Sequence, residues 1–521
     1  MEKIKNLTAL FVENLNSNNW QTQTEIIKVI GDIINEISDL SETLKCEAAE
    51  LIAAQKTTDI YREIFKYSLA IDIYSEIKLI EQFIEAILKD NSLTWQNLFF
   101  LHFQITNRIF RLKNVNTDNV NILNWKLLNK SKILCEKELS FELKEIPKEE
   151  RNDKLAVVLV GQYLAETHGP TKTTLDRSIV LKNMGKKVLI INTAEVLTNV
   201  GAVPYYGLRL ANYFEEYTQK EKVTWKGEEF AYFQCEKNMP DIAVMEMLLN
   251  TIMSLKPGNV ILIGATSMVA GLMDKLVPVL SIGLTASGAL PTLAKYQTVE
   301  ERYVKDALKV TSSVGLEEDH IIPGRFTFKL IEQTEHVTRE QFSIPEDAFV
   351  MACVGGRLDD EITQEFIEML EHVAKDRNVF WVVIGSFNNF DKIIGENSIL
   401  ADKSINLGFC ADVLSRLELC DVYINPTRRG GGTSCVEAMF KGKPVVTVDY
   451  GDVAGSVGEE FSVANYKEME KRLLTYYSDK EYYERDVEIA KNKAALLLDS
   501  DSEFRRILAE YDKREIKRIH V

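Results

Sequence analysis

Two doubly wound Rossmann-like α/β domains facing a cleft, with an all-helical domain in front of them, are what this sequence predicts. Three observations lead there. No proline occurs before Pro147, and the apolar residues of that region recur with helical period. At Leu155 the pattern changes to continuous apolar runs, each followed by a helical pattern. Beyond Pro345 the same alternation begins again.

The expected helical domain is 1–150. Its amphipathic stretches are marked by Ile26, Ile30, Ile33, Ile37 and Leu40, and later by Ile73, Ile77, Ile80, Ile84 and Ile87. Trp95, Phe99, Phe100, Phe103 and Phe110 are expected in its core. The Lys- and Glu-rich stretch 138–154 reads as a linker or a solvated surface segment. The second domain, 151–340, opens with the strand Leu155 to Val160, a helix from about Thr173 to Met184 and the strand Lys187 to Ile191. Further strands are expected at Val260 to Ile263 and Val277 to Leu284. The third domain, 341–521, has expected strands at 349–354, 379–384, 405–409, 422–424 and 445–448, and ends in two or three helices from Tyr466 onward.

Composition narrows the function. Apolar residues make up 45% and charged residues 27%, as in an ordinary globular protein. A formal net charge of -16 argues against a nucleic-acid binder, which needs a basic face. Seven dispersed cysteines without a C-x-x-C pair fit reduced thiols in a cytoplasmic protein. The N-terminus lacks a signal-peptide core, and no apolar run nears the roughly 20 residues of a membrane span. Peripheral membrane association and oligomerisation through the helical domain are left open. There is no G-x-G-x-x-G with a following acidic residue, no P-loop and no H-E-x-x-H, which disfavours dinucleotide, ATPase and zinc chemistry.

The richest stretch runs from Asp421 to Asp449. A short strand ends at Asn425 and Pro426. Arg428, Arg429, Gly430, Gly431 and Gly432 follow, and Thr433 and Ser434 are positioned to cap a helix that carries Glu437. Glycines let backbone N–H groups approach a phosphate, and a helix N-terminus favours an anion. In the second domain, the loop 166–172 follows the first strand and opens a helix at the expected cleft mouth. His168 on it is the candidate catalytic residue of that side. A further candidate loop is 264–267.

The last ~180 residues resemble the donor-binding half of GT-B glycosyltransferases, especially the retaining glycosyltransferase family 4. Val354-Gly355-Gly356-Arg357-Leu358 is similar to the family's G-R-L segment, and Leu407-Gly408-Phe409 to its short glycine segment. Asp421 to Thr427 is similar to its strand ending in proline and a hydroxyl residue. Arg429 to Glu437 lies over its E-x7-E motif. The resemblance implies a hexosyl- or N-acetylhexosaminyl-type transferase. It would move a sugar from a nucleotide donor, most readily UDP-linked, to a hydroxyl of a glycan, lipid-linked or protein acceptor. It further implies retention of configuration and no obligatory metal. Glu437 would hold the ribose, and Arg357 the diphosphate. Gly355, Gly356, Phe409, Pro426, Thr427, Arg428, Gly430, Gly431, Gly432, Thr433 and Ser434 would complete the donor site. The sequence departs from the family in two places: Arg429 stands for the first glutamate, and Asp359-Asp360-Glu361 replaces the expected lysine. Arg429 is therefore expected to act on the diphosphate beside Arg357. Two alternatives accompany this reading. One is a protein glycosyltransferase whose helical domain holds polypeptide; the other is a non-catalytic GT-B partner subunit.

Overall fold

A computed structural model describes residues 41–519 except 113–114, 167, 196–202 and 396, together with isolated positions in 1–40. The expected helical face from Ile26 to Leu40 lies outside the described residues. The chain forms two compact units. One comprises 1–282, 289–297 and 307–321; the other comprises 283–288, 298–306 and 322–521.

The first unit begins with helices α1 (Glu42–Ala53), α2 (Ile60–Ile73), α3 (Ile77–Lys89), α4 (Trp95–Arg111) and α5 (Asp118–Glu136). The repeat in α3 does what its period requires: Leu79, Ile80, Phe83, Ile84 and Ile87 are all buried. Thr94 starts α4 in a capping box with Asn97. Trp95, Phe99 and Phe100 are buried as expected, whereas Phe110 is 39% exposed and lies outside the core. Then come β1 (Asn152–Val160), α6 (Gly169–Asn183), β2 (Lys187–Asn192), β3 (Lys222–Trp225), β4 (Glu228–Gln234), α7 (Ile242–Leu255), β5 (Pro257–Ile263), α8 (Met268–Met273), β6 (Val279–Ile282), and, each divided between the two units, β7 (Tyr296–Glu300), α9 (Val304–Ser312) and β8 (Ile321–Gly324). The sheet order is β3-β4-β2-β1-β5-β6-β7-β8. From β4 through β2, β1, β5 and β6 to β7 neighbouring strands are parallel, and β3–β4 is an antiparallel hairpin. Sequence patterning missed that hairpin, because its short strands alternate with charges.

No break in packing falls near residue 150. The buried side chains of α1–α5 and of β1, β2, β5 and α7 form one cluster. Polar ties reinforce it: Trp125 Nε1 donates to Thr292 O at 2.9 Å, and Ile146 N donates to Leu276 O at 2.8 Å. The stretch 138–154, read as a linker or a solvated surface segment, is largely exposed but buries Ile146 and Arg151, and β1 already starts at Asn152.

The second unit contains β9 (Phe349–Gly355), α10 (Leu358–Glu361), α11 (Gln364–Ala374), β10 (Val379–Gly385), α12 (Phe390–Gly395), β11 (Ser404–Asn406), α13 (Val413–Leu417), β12 (Val422–Asn425), α14 (Gly432–Phe440), β13 (Val445–Val448), α15 (Gly451–Val457) and β14 (Ser462–Val463). The tail forms α16 (Tyr466–Ser478), α17 (Lys480–Leu498) and α18 (Ser500–Ile519). The sheet is parallel, in the order β11-β10-β9-β12-β13-β14. From β9 the chain runs outward through β10 and β11, then returns to place β12 on the other side. The strand order therefore reverses between β9 and β12. Ligands of open α/β sheets bind at such a switch point, outside the carboxyl ends of the strands.

Candidate active site

Two loops leave the sheet at the switch point: 355–357 after β9 and 426–431 after β12. Their backbones are forced by close approach. Gly385, at the matching end of β10, has φ +125°, and a Cβ there would strike Gly355 O. Gly431 has φ +102°, and a Cβ on it would meet the Arg428 guanidinium at 2.7 Å. Gly431 is also the N-cap of α14. The expected caps, Thr433 and Ser434, lie inside the first turn instead. Ser434 Oγ is occupied by Gly431 O at 3.1 Å and Tyr423 Oη at 3.0 Å, and Thr433 is exposed.

The two neighbouring arginines turn opposite ways. Arg428 is 3% exposed. Its Nε donates to Asn425 Oδ1 at 2.8 Å, and its Nη1 to Glu361 Oε2 at 2.7 Å. Its Nη2 donates to Val354 O at 2.6 Å and to Tyr423 Oη at 3.0 Å. It therefore locks β9, α10 and β12 together. That corrects its expected place against the donor: the guanidinium is spent on internal acceptors. Pro426 and Thr427 are also buried, and Thr427 N donates to Tyr466 Oη at 2.9 Å.

Arg429 faces the other way and is half-buried. Its Nε donates to Tyr450 Oη at 2.9 Å, with the guanidinium 5.8 Å from the Tyr450 ring centre. Arg357 is the N-cap of α10, and its side chain is 54% exposed. Its Nη2 donates to Glu361 Oε1 at 3.0 Å and would lie 3.0 Å from a Cβ on Gly430. Arg357 thus lies against the glycine loop. Asp359 is engaged elsewhere, accepting from Asn388 N and Asn389 N at 3.0 and 2.7 Å.

A residue the sequence reading passed over stands at this loop. Asp452, on α15, is 8% exposed, and its N–H donates to Arg429 O at 2.9 Å. Burial pushes its carboxyl up to about 7, against the pull of Arg429, Arg357 and Arg428. Glu361 was noted only as part of an acidic run. Its signal was the i, i+4 spacing from Arg357. Asp452 had no comparable signal.

Among the remaining expected residues, Gly356 is exposed, with open space where a Cβ would stand. Gly408 O accepts from Gly385 N at 2.7 Å, which ties the next loop to the same strand end. That loop carries Phe409, 85% exposed; β11 stops at Asn406 rather than reaching Phe409. Glu437 is half-buried in α14. His168 belongs to the other unit. It is the N-cap of α6, its Nδ1 lies 3.0 Å from Thr171 Oγ1, and burial lowers its pKa, favouring the neutral ring. In the 264–267 loop, Ser267 caps α8 and is paired with buried Glu195.

Two mainly parallel Rossmann-like sheets are the fold of the GT-B glycosyltransferases, and here a helical region precedes them. Residues 335–493 match the family model of glycosyl transferases group 1. The fold is similar to that of an O-GlcNAc transferase variant from Thermobaculum terrenum, at 12% identity and TM-score 0.57. That likeness covers 99% of this chain and 97% of the other. It is also similar to a glycosyltransferase from Rickettsia africae ESF-5, at 13% identity and TM-score 0.50, over 70% of this chain and 99% of the other. No curated protein sequence matches the chain. Among the described residues no helix is long and apolar enough to cross a membrane.

Proposed function

We propose that this protein is a glycosyltransferase whose second unit binds a UDP-linked sugar at the β9–β12 switch point and transfers the sugar to an acceptor hydroxyl. The observation that carries the reading is the placement of Arg357 against the Gly430–Gly432 loop, with Arg429 on the same loop. Guanidinium groups and the backbone N–H groups of a glycine loop suit a departing diphosphate. The bond between the anomeric carbon and the β-phosphate oxygen breaks, UDP keeps the electron pair, and these donors stabilise the charge; the acceptor oxygen bonds to the anomeric carbon and its proton passes to the departing phosphate oxygen. Cationic side chains in this position make a divalent metal dispensable. Glu437 holds the ribose diol, and exposed Phe409 offers a face for the base. His168 lies on the acceptor side, and transfer retains configuration. The site is intracellular, where nucleotide sugars are made.

A second reading concerns the acceptor: polypeptide, held by α1–α5. What supports it is that the likeness to the Thermobaculum protein, named an O-GlcNAc transferase, extends over 99% of this chain, the helical region included.

Incubating the purified protein with a panel of nucleotide sugars and candidate acceptors, with product detection by mass spectrometry, tests both readings. A UDP-sugar should be consumed, with or without EDTA. Glu437→Ala should weaken UDP binding about tenfold to a hundredfold in calorimetric titration. Equal UDP affinities would remove Glu437 from the site.

A further inference from the structure

Helix α15 carries two buried polar side chains one turn apart, Asp452 and Ser456. Ser456 is 3% exposed, and its Oγ has no partner. Asp452, four residues earlier, is 8% exposed, and burial raises its carboxyl to about 7. Both face the first residue of α14. A Cβ on Gly432 would lie 3.3 Å from Ser456 Oγ and 3.4 Å from Asp452 Cβ. Their backbone is rigidly placed, because Gly451 packs on Arg428 O so closely that no Cβ fits, and Asp452 N is bonded to Arg429 O.

Buried polar groups are normally satisfied. A buried carboxylate beside an unsatisfied hydroxyl, next to an arginine-lined glycine loop, asks for a ligand that supplies both O–H donors and acceptors. A pair of sugar hydroxyls does so. The position matters as well. Arg429 stands where the resembled motif has a carboxylate, and an arginine cannot accept from a sugar. Asp452 brings a carboxylate to that same residue, its N–H bonded to Arg429 O at 2.9 Å.

We propose that Asp452 and Ser456 bind hydroxyl groups of the donor's sugar and thereby select it. The proposal rests on the donor-site reading above. Asp452 accepts from one hydroxyl, and Ser456 exchanges a hydrogen bond with its neighbour. The charged groups that bear on Asp452 are Arg429, Arg357 and Arg428, and the titratable Tyr303 and Cys435 also sense it. Near neutrality its carboxyl is close to its titration point, so it can take either role in a hydrogen bond.

Calorimetric titration of wild type, Asp452→Asn and Ser456→Ala with UDP, UDP-glucose and UDP-N-acetylglucosamine tests this. The quantity read is the ratio of UDP-sugar Kd to UDP Kd, for the better-bound sugar nucleotide. It should rise about tenfold or more in Asp452→Asn and about threefold or more in Ser456→Ala. UDP binding by each variant serves as its folding control. Ser456→Ala, which deletes a single oxygen, carries the test if Asp452→Asn does not fold. An unchanged ratio in a variant that still binds UDP overturns the sugar pocket and leaves the donor site standing. Wild-type protein that binds none of the three nucleotides overturns the donor-site reading, and the pocket with it.

Discussion

Glu361 and Arg428 form an ion pair of 2.7 Å between side chains only 6% and 3% exposed. The other oxygen of Glu361 accepts from Arg357 at 3.0 Å. One carboxylate therefore holds an inner arginine, which fixes the strand ends, and an outer one, which faces the glycine loop. Removing one member of a buried pair leaves the other charge uncompensated. Glu361→Ala should cost about 3–5 kcal/mol of stability, read as a lower urea midpoint. A loss below about 1 kcal/mol would mean that Arg428 finds other acceptors.

Arg429 and Arg428 differ in what they can be exchanged for. Arg429→Lys keeps a charge but loses the planar fork, and should slow turnover modestly. Arg429→Glu places a carboxylate beside the expected diphosphate, and turnover should collapse. Steady-state kinetics on the two variants decide the matter, and near-normal turnover in Arg429→Glu would remove it from the phosphate site.

Asp452 predicts a pH dependence of stability. Its carboxyl titrates at about 7 in the folded chain, against an ordinary value of 3.8. Between those values the folded chain holds one proton more than the unfolded chain. Stability from this group is thus greatest on the acid side and is lost as pH rises toward about 7. Asp452→Asn removes the titration. Its midpoint in urea, relative to wild type, should climb between pH 5 and about 7 and then level off. A difference independent of pH would place the carboxyl at its ordinary value.

The shared core of the first unit makes a different forecast about truncation. A chain beginning at Asp153 lacks α1–α5 and strips the cover from Val157, Leu159 and Ile191, which cluster with them. It also loses the bonds of His102 Nε2 to Thr266 Oγ1 (3.1 Å) and of Gln104 to Arg209 (2.8 Å in each direction). Such a chain should aggregate in size-exclusion chromatography. A monodisperse product would show that the helices are dispensable to the sheet.

The sequence by itself determined the two α/β units, the helices before them and the glycine loop that ends β12. Those features are written in neighbouring residues: periods of apolar side chains, and Gly or Pro at the breaks. It also singled out Arg357 and Arg429, through local motifs, as candidate donor-site residues. Only the tertiary structure decided that Arg428 turns inward, because its partners Glu361 and Val354 lie 67 and 74 positions away in the chain. Residue type and spacing cannot separate two adjacent arginines; acceptors brought in by another strand can. The same holds for Asp452 and Ser456. In the sequence they are an unremarked acid and serine on a short helix, and they become a polar pair at Gly432 only when α15 folds back onto the loop. The lack of a boundary near residue 150 was likewise invisible, since a change of period marks where a sheet begins and not which surfaces share a core.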